Sequence, residues 1–182
     1  MTSLESKGKA LKSYLSRGEK LSVVQAFQII KQVLFAVKEV HEAGFLHLDI
    51  QDGNVFIKGS LSAEDNLVSL VDFGAARPVC EDGLCPVIRD RALFSTMGFE
   101  SPEIVGHNDG TLRLGAEADL YSVGYLLLLM LTGKRYTQRE LDSANIGLYL
   151  SKRKLKKLNC PAHMADKVHQ IISKALKKTP EE

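Results

Sequence analysis

At 182 residues, the chain is long enough to form one domain with a substantial hydrophobic core. Its formal net charge of +2 indicates neither nucleic acid nor a membrane surface as a partner. The three cysteines, Cys80, Cys85 and Cys160, are too few and odd in number for a disulfide framework, and the N-terminus M-T-S-L-E-S-K-G-K lacks the apolar core of a secretory signal. We therefore expect a cytoplasmic protein with free thiols.

Two helix patterns open the chain. Residues 8–17 carry two leucines on one side of a short helix. Ser22 and Gln25 then have the spacing of a capping box, which marks the start of a second helix. The apolar positions of this second helix recur at alternating steps of four and three, at Val23, Phe27, Ile30, Leu34, Val37 and His41. The pattern predicts a long amphipathic helix that ends at Gly44.

The stretch 46–74 holds three polar side chains suited to phosphate chemistry. Asp49 is followed five residues later by Asn54, and Asp72 lies directly before Phe73-Gly74. A carboxylate can orient a hydroxyl group, while an amide and a second carboxylate can hold Mg²⁺. Together the three groups predict a site that moves a phosphoryl group.

A predicted β-hairpin connects two of these groups. The short apolar runs 55–57 and 67–71 follow Asn54 and precede Asp72, and a polar loop separates them. Such runs on either side of a polar loop are typical of a hairpin. We expect the hairpin to place Asn54 and Asp72 side by side.

The second half of the chain contains one long connection and further helices. Residues 75–100 show no sustained periodicity, and so long a structureless connection in a compact domain is usually functional or disordered.

Residues 116–131 are apolar nearly all round but shorter than the roughly 20 residues of a membrane span, so they predict a buried core helix that ends at Gly133. Thr137 and Glu140 form a second capping-box pattern. The last predicted helix, 162–176, has its core face at Val168, Ile171, Ile172, Ala175 and Leu176.

The basic run 151–157 is the dense positive patch of the sequence. We favour a solvated helix face or loop there over binding of nucleic acid or an acidic partner. We expect no nucleic-acid partner and no membrane association, and the sequence does not indicate an oligomeric state.

Three motifs of the sequence resemble those of protein kinases. The stretch from His47 to Asn54, H-L-D-I-Q-D-G-N, resembles the catalytic loop H-R-D-L-x-x-x-N, and Asp72-Phe73-Gly74 matches D-F-G. Ser101-Pro102-Glu103 resembles A-P-E. The match covers only the C-terminal lobe of the family. It implies a mainly α fold, a protein-kinase-like C-terminal lobe over residues 1–182, with a small β-hairpin that carries the catalytic loop and D-F-G.

The resemblance assigns a role to each candidate residue. Asp49 would be the catalytic base or the group that orients the acceptor hydroxyl, while Asn54 and Asp72 would hold Mg²⁺ that bridges the phosphates of ATP. Phe56 resembles the residue that forms the floor beneath the adenine, although a plain core aromatic is equally consistent. Thr96 falls at the position that lines the peptide-binding ledge in Ser/Thr-directed members.

A histidine of the catalytic loop has a structural role in the family. There it packs on the D-F-G phenylalanine and stands on the aspartate of a D-x-W-x-x-G motif, which ties the catalytic-loop backbone to the central helix. The sequence D-L-Y-S-V-G, beginning at Asp119, resembles that motif. We therefore expect His47 to pack on Phe73 rather than to act as an acid or a metal ligand.

Departures from the family pattern matter for activity. The resemblance makes residues 75–100 the activation segment. Leu48 replaces the arginine of H-R-D, so a phosphate on this segment would lose its docking cation. Gln51 stands where Ser/Thr kinases usually carry a lysine that neutralises the transferring phosphate. The sequence contains no G-x-G-x-x-G and no V-A-I-K, so the N-terminal lobe is expected to be missing. The arginine that usually pairs with the A-P-E glutamate, here Glu103, is also absent, as if the last helix were truncated.

The resulting hypothesis is the C-terminal catalytic lobe of a Ser/Thr protein kinase, which uses ATP and Mg²⁺ and acts on a protein substrate. The isolated chain is expected to be inactive without its missing N-lobe. One alternative is a pseudokinase-like module that binds another protein, favoured by Leu48 and Gln51. Another is a small-molecule phosphotransferase of the aminoglycoside or choline kinase type, which shares the loop aspartate and asparagine.

Overall fold

The structure, a computed structural model, describes residues 8–19, 21–61, 66–88, 98–106, 111–143 and 149–177. The described helices are α1 Leu11–Ser16, α2 Val23–Glu42, α3 Pro102–Gly106, α4 Ala116–Thr132, α5 Gln138–Ser143, α6 Lys152–Lys157 and α7 Ala165–Ala175. The strands are β1 Lys9–Ala10, β2 Phe45–Leu46, β3 Val55–Lys58, β4 Leu67–Leu70, β5 Arg77–Pro78, β6 Cys85–Ile88 and β7 Thr111–Leu114. Single turns of 3-10 helix lie at Phe73–Ala75 and Ala162–Met164. The described chain is therefore mainly helical.

Helix α2 begins and ends as its sequence predicts. The Ser22 hydroxyl accepts from the Gln25 N–H at 3.2 Å, and the Gln25 side chain accepts from the Ser22 N–H at 2.9 Å. This reciprocal pair confirms the capping box. At the other end, Gly44 takes a left-handed φ of +80° two residues after the last helical residue. That conformation favours glycine, which explains why the helix stops there.

The buried face of α2 differs in part from the predicted face. The buried side chains of α2 are Val23, Ala26, Ile29, Ile30, Val33 and Val37. The prediction was wrong for Leu34, which is 40% exposed. From Val23, the buried positions follow at spacings of three and then four residues, through Ala26 and Val33. The predicted positions followed at spacings of four and then three residues. Small Ala26 gave little signal in the sequence, yet it faces the core.

Helix α4 is the buried centre of the domain. Its buried residues are Ala118, Asp119 and Tyr121 through Leu131. The helix ends where Gly133, at a φ of +67°, donates its N–H to the Leu129 carbonyl. A Cβ at Gly124 would lie 2.4 Å from Cβ of Ala175, so this glycine allows α4 and α7 to cross closely. In the part of the chain that the structure describes, no helix combines the length and apolar character that crossing a bilayer requires.

The predicted hairpin is confirmed, and it belongs to a larger set of small sheets. Strand β3 pairs antiparallel with β4 in the register Val55 to Leu70, and β1 pairs on the other edge of β3. Strands β2 and β5 form a second sheet, and β6 and β7 a third. The expectation of a structureless connection over 75–100 was therefore wrong at β5 and β6. Both strands pair with segments far away in sequence, which leaves no local hairpin signal.

Among the described residues, two hydrophobic clusters hold these elements together. The larger lies between α2, α4, α7 and the β3–β4 hairpin. The smaller, which we call the second core, consists of Leu46, Leu48, Cys85, Ile104, Leu112, Leu114 and Ala118. Leu48 thus packs among apolar side chains, and burying a leucine contributes about 1.5–3 kcal/mol to stability. An arginine at this position would have to leave that cluster.

Two positions expected in the core line a surface groove instead. Ile171 of α7 is 48% exposed, so the predicted core face of the last helix was wrong there, while Val168 and Ile172 are buried as predicted. Ile171 and Leu34 border a groove of about 400 Å³ between α2, α4 and α7. Glu103 also lines this groove.

Candidate functional site

Asp119 anchors the catalytic-loop backbone to helix α4. Its carboxylate is fully buried, and its two oxygens accept from the backbone N–H groups of His47 and Leu48, each at 2.8 Å. The Nε2 atom of His41, at the end of α2, lies 2.8 Å from the same carboxylate. A buried carboxylate requires such partners, since leaving it unpaired would be costly. The predicted tie between the D-L-Y-S-V-G motif and the catalytic loop is confirmed.

His47 occupies the structural position expected of it. The side chain is fully buried, and its ring centroid lies 4.8 Å from that of Phe73. Nδ1 of the ring accepts from the Asp49 N–H at 3.3 Å. Burial lowers the pKa of His47, and the charges of Asp119 and Asp49 only partly oppose this effect. A neutral imidazole that supports the loop follows from this environment.

The side chain of Asp49 is held from two sides. One carboxylate oxygen accepts from Nε2 of Gln51 at 2.8 Å, and the other accepts from Nδ2 of Asn54 at 2.7 Å. The same Asn54 nitrogen also donates to the Asp49 carbonyl at 2.8 Å. Burial raises the pKa of Asp49, while these two side-chain hydrogen bonds oppose the rise. The result is an oriented, half-buried carboxylate that accepts a proton more readily than an exposed aspartate.

The hairpin brings Asn54 and Asp72 to the same end. The Val71 N–H donates to the Asn54 carbonyl at 2.9 Å, which extends the β3–β4 pairing by one step. Asp72 follows Val71 directly and takes a left-handed φ of +65°. Its side chain is exposed and accepts from the Gly74 N–H at 3.2 Å. This local structure explains how residues 18 positions apart in the sequence reach one site.

The donor set at this end of the hairpin fits Mg²⁺. Because the Asn54 amide nitrogen is committed to Asp49, its oxygen is the atom left for a cation. The exposed carboxylate of Asp72 is a second hard oxygen ligand. Magnesium in nucleotide sites typically takes one or two protein groups together with phosphates and water. Within the described ranges, no three His, Cys, Asp or Glu side chains form a cluster that could hold a metal ion by themselves.

The remaining predicted site residues lie in different places. Phe56 is half-buried in β3, between the buried residues Val55 and Ile57, so its side chain points to the opposite face of the sheet from the core. Gln51 contacts Asp49 directly, as described above. Thr96 lies outside the described residues.

One contact of this loop has no local signal in the sequence. Asp52, between Asp49 and Asn54, is 2% exposed and forms an ion pair with Arg135, 83 residues away. A charged residue in a loop is usually solvated, so its burial could not be predicted from its neighbours. The position of Arg135 shortly after the Gly133 helix end is likewise uninformative.

Comparisons with known proteins agree with the motif resemblance. The family described as protein kinase domain matches residues 3–182. Among relatives, the chain is 34% identical over 126 residues to the probable serine/threonine-protein kinase zyg-1 of Caenorhabditis briggsae, covering 69% of this chain and 16% of that protein. It is 27% identical over 179 residues to the serine/threonine-protein kinase PLK4 of Nematostella vectensis, covering 98% and 17%. It is 32% identical over 130 residues to human death-associated protein kinase 2, covering 69% and 31%.

The alignments cover only part of each relative. The shares of 16%, 17% and 31% mean that this chain spans less than a third of the length of these proteins. Their names describe serine/threonine-protein kinases in two cases and a death-associated protein kinase in the third.

Proposed function

Because the chain belongs to the protein kinase family, we propose that it supplies the acceptor side of a Ser/Thr-directed kinase site, at which the γ-phosphoryl group of Mg-ATP passes to a protein hydroxyl. The names of two relatives, both serine/threonine-protein kinases, support a serine or threonine hydroxyl as the acceptor. The long segment that ends at Ser101-Pro102-Glu103 favours a protein substrate over a small molecule.

A single observation carries this proposal: the Asp49 carboxylate is oriented by Asn54 and Gln51 at the end of the hairpin that also presents Asp72. Phosphoryl transfer has a loose transition state, so a protein contributes mainly by positioning and by charge stabilisation. In the proposed reaction, Asp49 accepts a hydrogen bond from the substrate hydroxyl and takes its proton as the phosphoryl group arrives. Its raised pKa suits that task.

Asn54 and Asp72 would hold Mg²⁺ through their oxygen atoms. Mg²⁺ held by these two residues would offset negative charge on the phosphates. Gln51 has no charge to add, so it would hold Asp49 without neutralising the transferred group. Phe56, on the face of the hairpin away from the core, would form the floor beneath the adenine.

We further propose that the nucleotide-covering segments come from polypeptide other than these 182 residues. The sequence contains no glycine-rich G-x-G-x-x-G loop and no V-A-I-K lysine, which in the family cover and bind the phosphates. The 182 residues alone should then transfer phosphate very slowly or not at all. We place the protein in the cytoplasm, and the three free cysteines support that setting.

Leu48 favours a second candidate, a pseudokinase-like module that binds another protein. Its side chain is 8% exposed within the second core, so the loop offers no cation at the position that normally docks a regulatory phosphate. The uncharged Gln51 points the same way. Both candidates use the same fold, and only phosphoryl transfer separates them.

The test uses the product of the complete reading frame that encodes these residues. Transfer of γ-³²P from ATP to serine- and threonine-containing protein is measured with and without Mg²⁺, for the wild type and for Asp49→Asn. The kinase proposal predicts Mg²⁺-dependent labelling that Asp49→Asn reduces by about 10²-fold or more. Asp166→Asn serves as the control. It removes an exposed carboxylate of α7 that pairs with Lys152 of α6, and the variant should label its substrate as the wild type does. Absence of labelling in the wild type supports the binding module instead, whereas equal labelling by Asp49→Asn contradicts the role proposed for Asp49.

A further inference from the structure

Asp52 is a buried charge within the loop that carries the proposed site. Its side chain is 3% exposed, and both of its oxygens accept from a single nitrogen, Nη2 of Arg135, at 2.7 and 2.8 Å. Arg135 lies in the connection between α4 and α5. A carboxylate removed from water in this way depends on its counter-charge. The position of Arg135 therefore helps to fix the position of the loop between Asp49 and Asn54.

Arg135 also contacts the segment that follows the long connection. The carbon at the centre of its guanidinium lies 5.5 Å from the ring centroid of Phe99, a cation–π arrangement. Phe99 is 4% exposed, its ring packs edge-on against Tyr125 at 4.7 Å, and its carbonyl accepts from the Ser122 hydroxyl at 2.7 Å. The ring that Arg135 touches is therefore fixed to helix α4.

The backbone beside Arg135 is fixed to the same helix. The Tyr125 hydroxyl donates to the Tyr136 carbonyl at 2.8 Å and accepts from the Tyr136 N–H at 2.7 Å. Gly98 closes this region, since a Cβ at that position would lie 2.3 Å from the Tyr125 hydroxyl oxygen. Three elements thus meet around one guanidinium: the Asp49 loop, the segment 98–101 and the connection after α4.

We infer that Arg135 is a positioning residue that couples the loop of Asp49 and Asn54 to the segment 98–101. It acts through Asp52 on one side and Phe99 on the other. The inference rests on the proposed function. Arg135 would maintain the distance between Asp49, which orients the acceptor hydroxyl, and the segment that leads into Ser101-Pro102-Glu103. A shift of the loop by about 1 Å can lower turnover by as much as about 10²-fold.

The two partners of the pair differ in exposure, and this difference gives a specific expectation. Arg135→Met leaves the buried Asp52 carboxylate without a counter-charge, so the loop must move to hydrate it. Asp52→Asn leaves a guanidinium whose side chain is 40% exposed and already reaches water. We expect the first change to lower kcat by about 10- to 100-fold and the second to lower it less. The double variant Asp52→Asn/Arg135→Met should recover part of the activity that Arg135→Met loses.

The experiment measures kcat, the KM for ATP and the melting temperature for these variants in the product of the complete reading frame. Arg135→Lys keeps a cation that can pair with Asp52 but loses the guanidinium that lies over Phe99, so it should retain more activity than Arg135→Met and less than the wild type. Lys134→Met is the control on the same connection, since Lys134 pairs with Glu140 rather than with the loop. For Arg135→Met, we expect kcat to fall while the KM for ATP stays the same. Lys134→Met should change neither value.

The inference is overturned if Arg135→Met lowers only the melting temperature and leaves kcat per folded molecule unchanged. It is also overturned if the double variant is no more active than Arg135→Met. Should Arg135→Met fail to fold, Asp52→Asn decides: a lower kcat at unchanged KM supports the coupling, and an unchanged kcat refutes it. Retention of full transfer by Asp49→Asn would refute the proposed function itself, whereas its loss together with normal Arg135 variants would refute only the coupling.

Discussion

The Leu48 N–H donates to the carboxylate of Asp119 at 2.8 Å, while the Leu48 side chain packs in the second core. Leu48 takes a left-handed φ of +61°, which is uncommon for a residue with a side chain. The hydrogen bond that Leu48 donates to the buried Asp119 carboxylate and the apolar packing of its side chain together hold this backbone conformation. Asp119 of helix α4 therefore holds the backbone of the loop that carries Asp49.

Replacing Asp119 with asparagine should destabilise the protein. The amide keeps one acceptor oxygen but turns an N–H₂ group toward a backbone donor that previously had a partner. Leaving one such buried donor unsatisfied costs about 1–3 kcal/mol in the free energy of unfolding. Urea denaturation of Asp119→Asn and wild type measures this difference. Asp166→Asn is the exposed control, and an equal loss in both variants would show that the anchor is unimportant.

Activity should not depend on phosphorylation of the segment near Thr96. The family's docking arginine is replaced by Leu48, which lies in an apolar cluster and offers no cation for a phosphate. We expect phosphatase treatment to leave kcat unchanged, both in the wild type and in Ser95→Ala. Kinetic assays before and after treatment test this. A phosphate-dependent gain in activity that disappears in Thr96→Ala would defeat the prediction.

Introducing a lysine at position 51 should increase turnover. Gln51 already contacts Asp49 at 2.8 Å, so a cation placed there would lie close to the transferring phosphate. We expect Gln51→Lys to raise kcat by about tenfold with little change in the KM for the protein substrate. Gln51→Met has a similar length without the charge and should show no gain. If both variants behave alike, charge stabilisation at this position is not limiting.

Stability should decline in mild acid because of His47. Burial lowers the pKa of His47 below 6.5 in the folded state, so the unfolded chain binds the proton first as pH falls. The free energy of unfolding should therefore decrease from about pH 6.5 down to the pKa of His47 in the folded state, and level off below that pH. The total loss is about 1.4 kcal/mol for each pH unit by which the folded pKa lies below that of the unfolded chain. Urea unfolding at pH 7.5 and pH 5.5 measures this loss. His47→Gln should show a smaller loss, and an identical loss would assign the effect to other groups.

Local signals predicted the parts of the fold that depend on neighbouring residues. The Ser22 cap and the Gly133 helix end rest on residues a few positions apart, the β3–β4 hairpin joins two runs that neighbour each other in the sequence, and each is present. The convergence of Asn54 and Asp72 followed from that hairpin. The pairing of β6 with β7 and the contact of Asp52 with Arg135 were not predicted. Both join residues far apart in sequence, and neither partner carries a pattern that marks the other.

The faces of two helices show a related limit. Leu34 and Ile171 are large and apolar, so periodicity placed both in the core, yet they are 40% and 48% exposed. Small Ala26 and Ala165 are buried instead. Apolar residues recur at helical spacing on more than one side of these helices, so periodicity identified the helices without fixing which apolar residues face the core. The hydrophobic pattern therefore predicted where the helices lie in the sequence, but it predicted only part of the face that each helix buries.

The binding of Mn²⁺-ATP tests the central claim, that Asn54 and Asp72 hold the cation while Asp49 orients the acceptor. Manganese replaces magnesium at oxygen ligands and reports its site through the relaxation of water protons. In the product of the complete reading frame, we predict that Asp49→Asn binds Mn²⁺-ATP like the wild type although it no longer transfers phosphate. Asp72→Asn should weaken this binding by about tenfold or more, since it removes a charged ligand. Equal affinity in the wild type and Asp72→Asn would contradict the account.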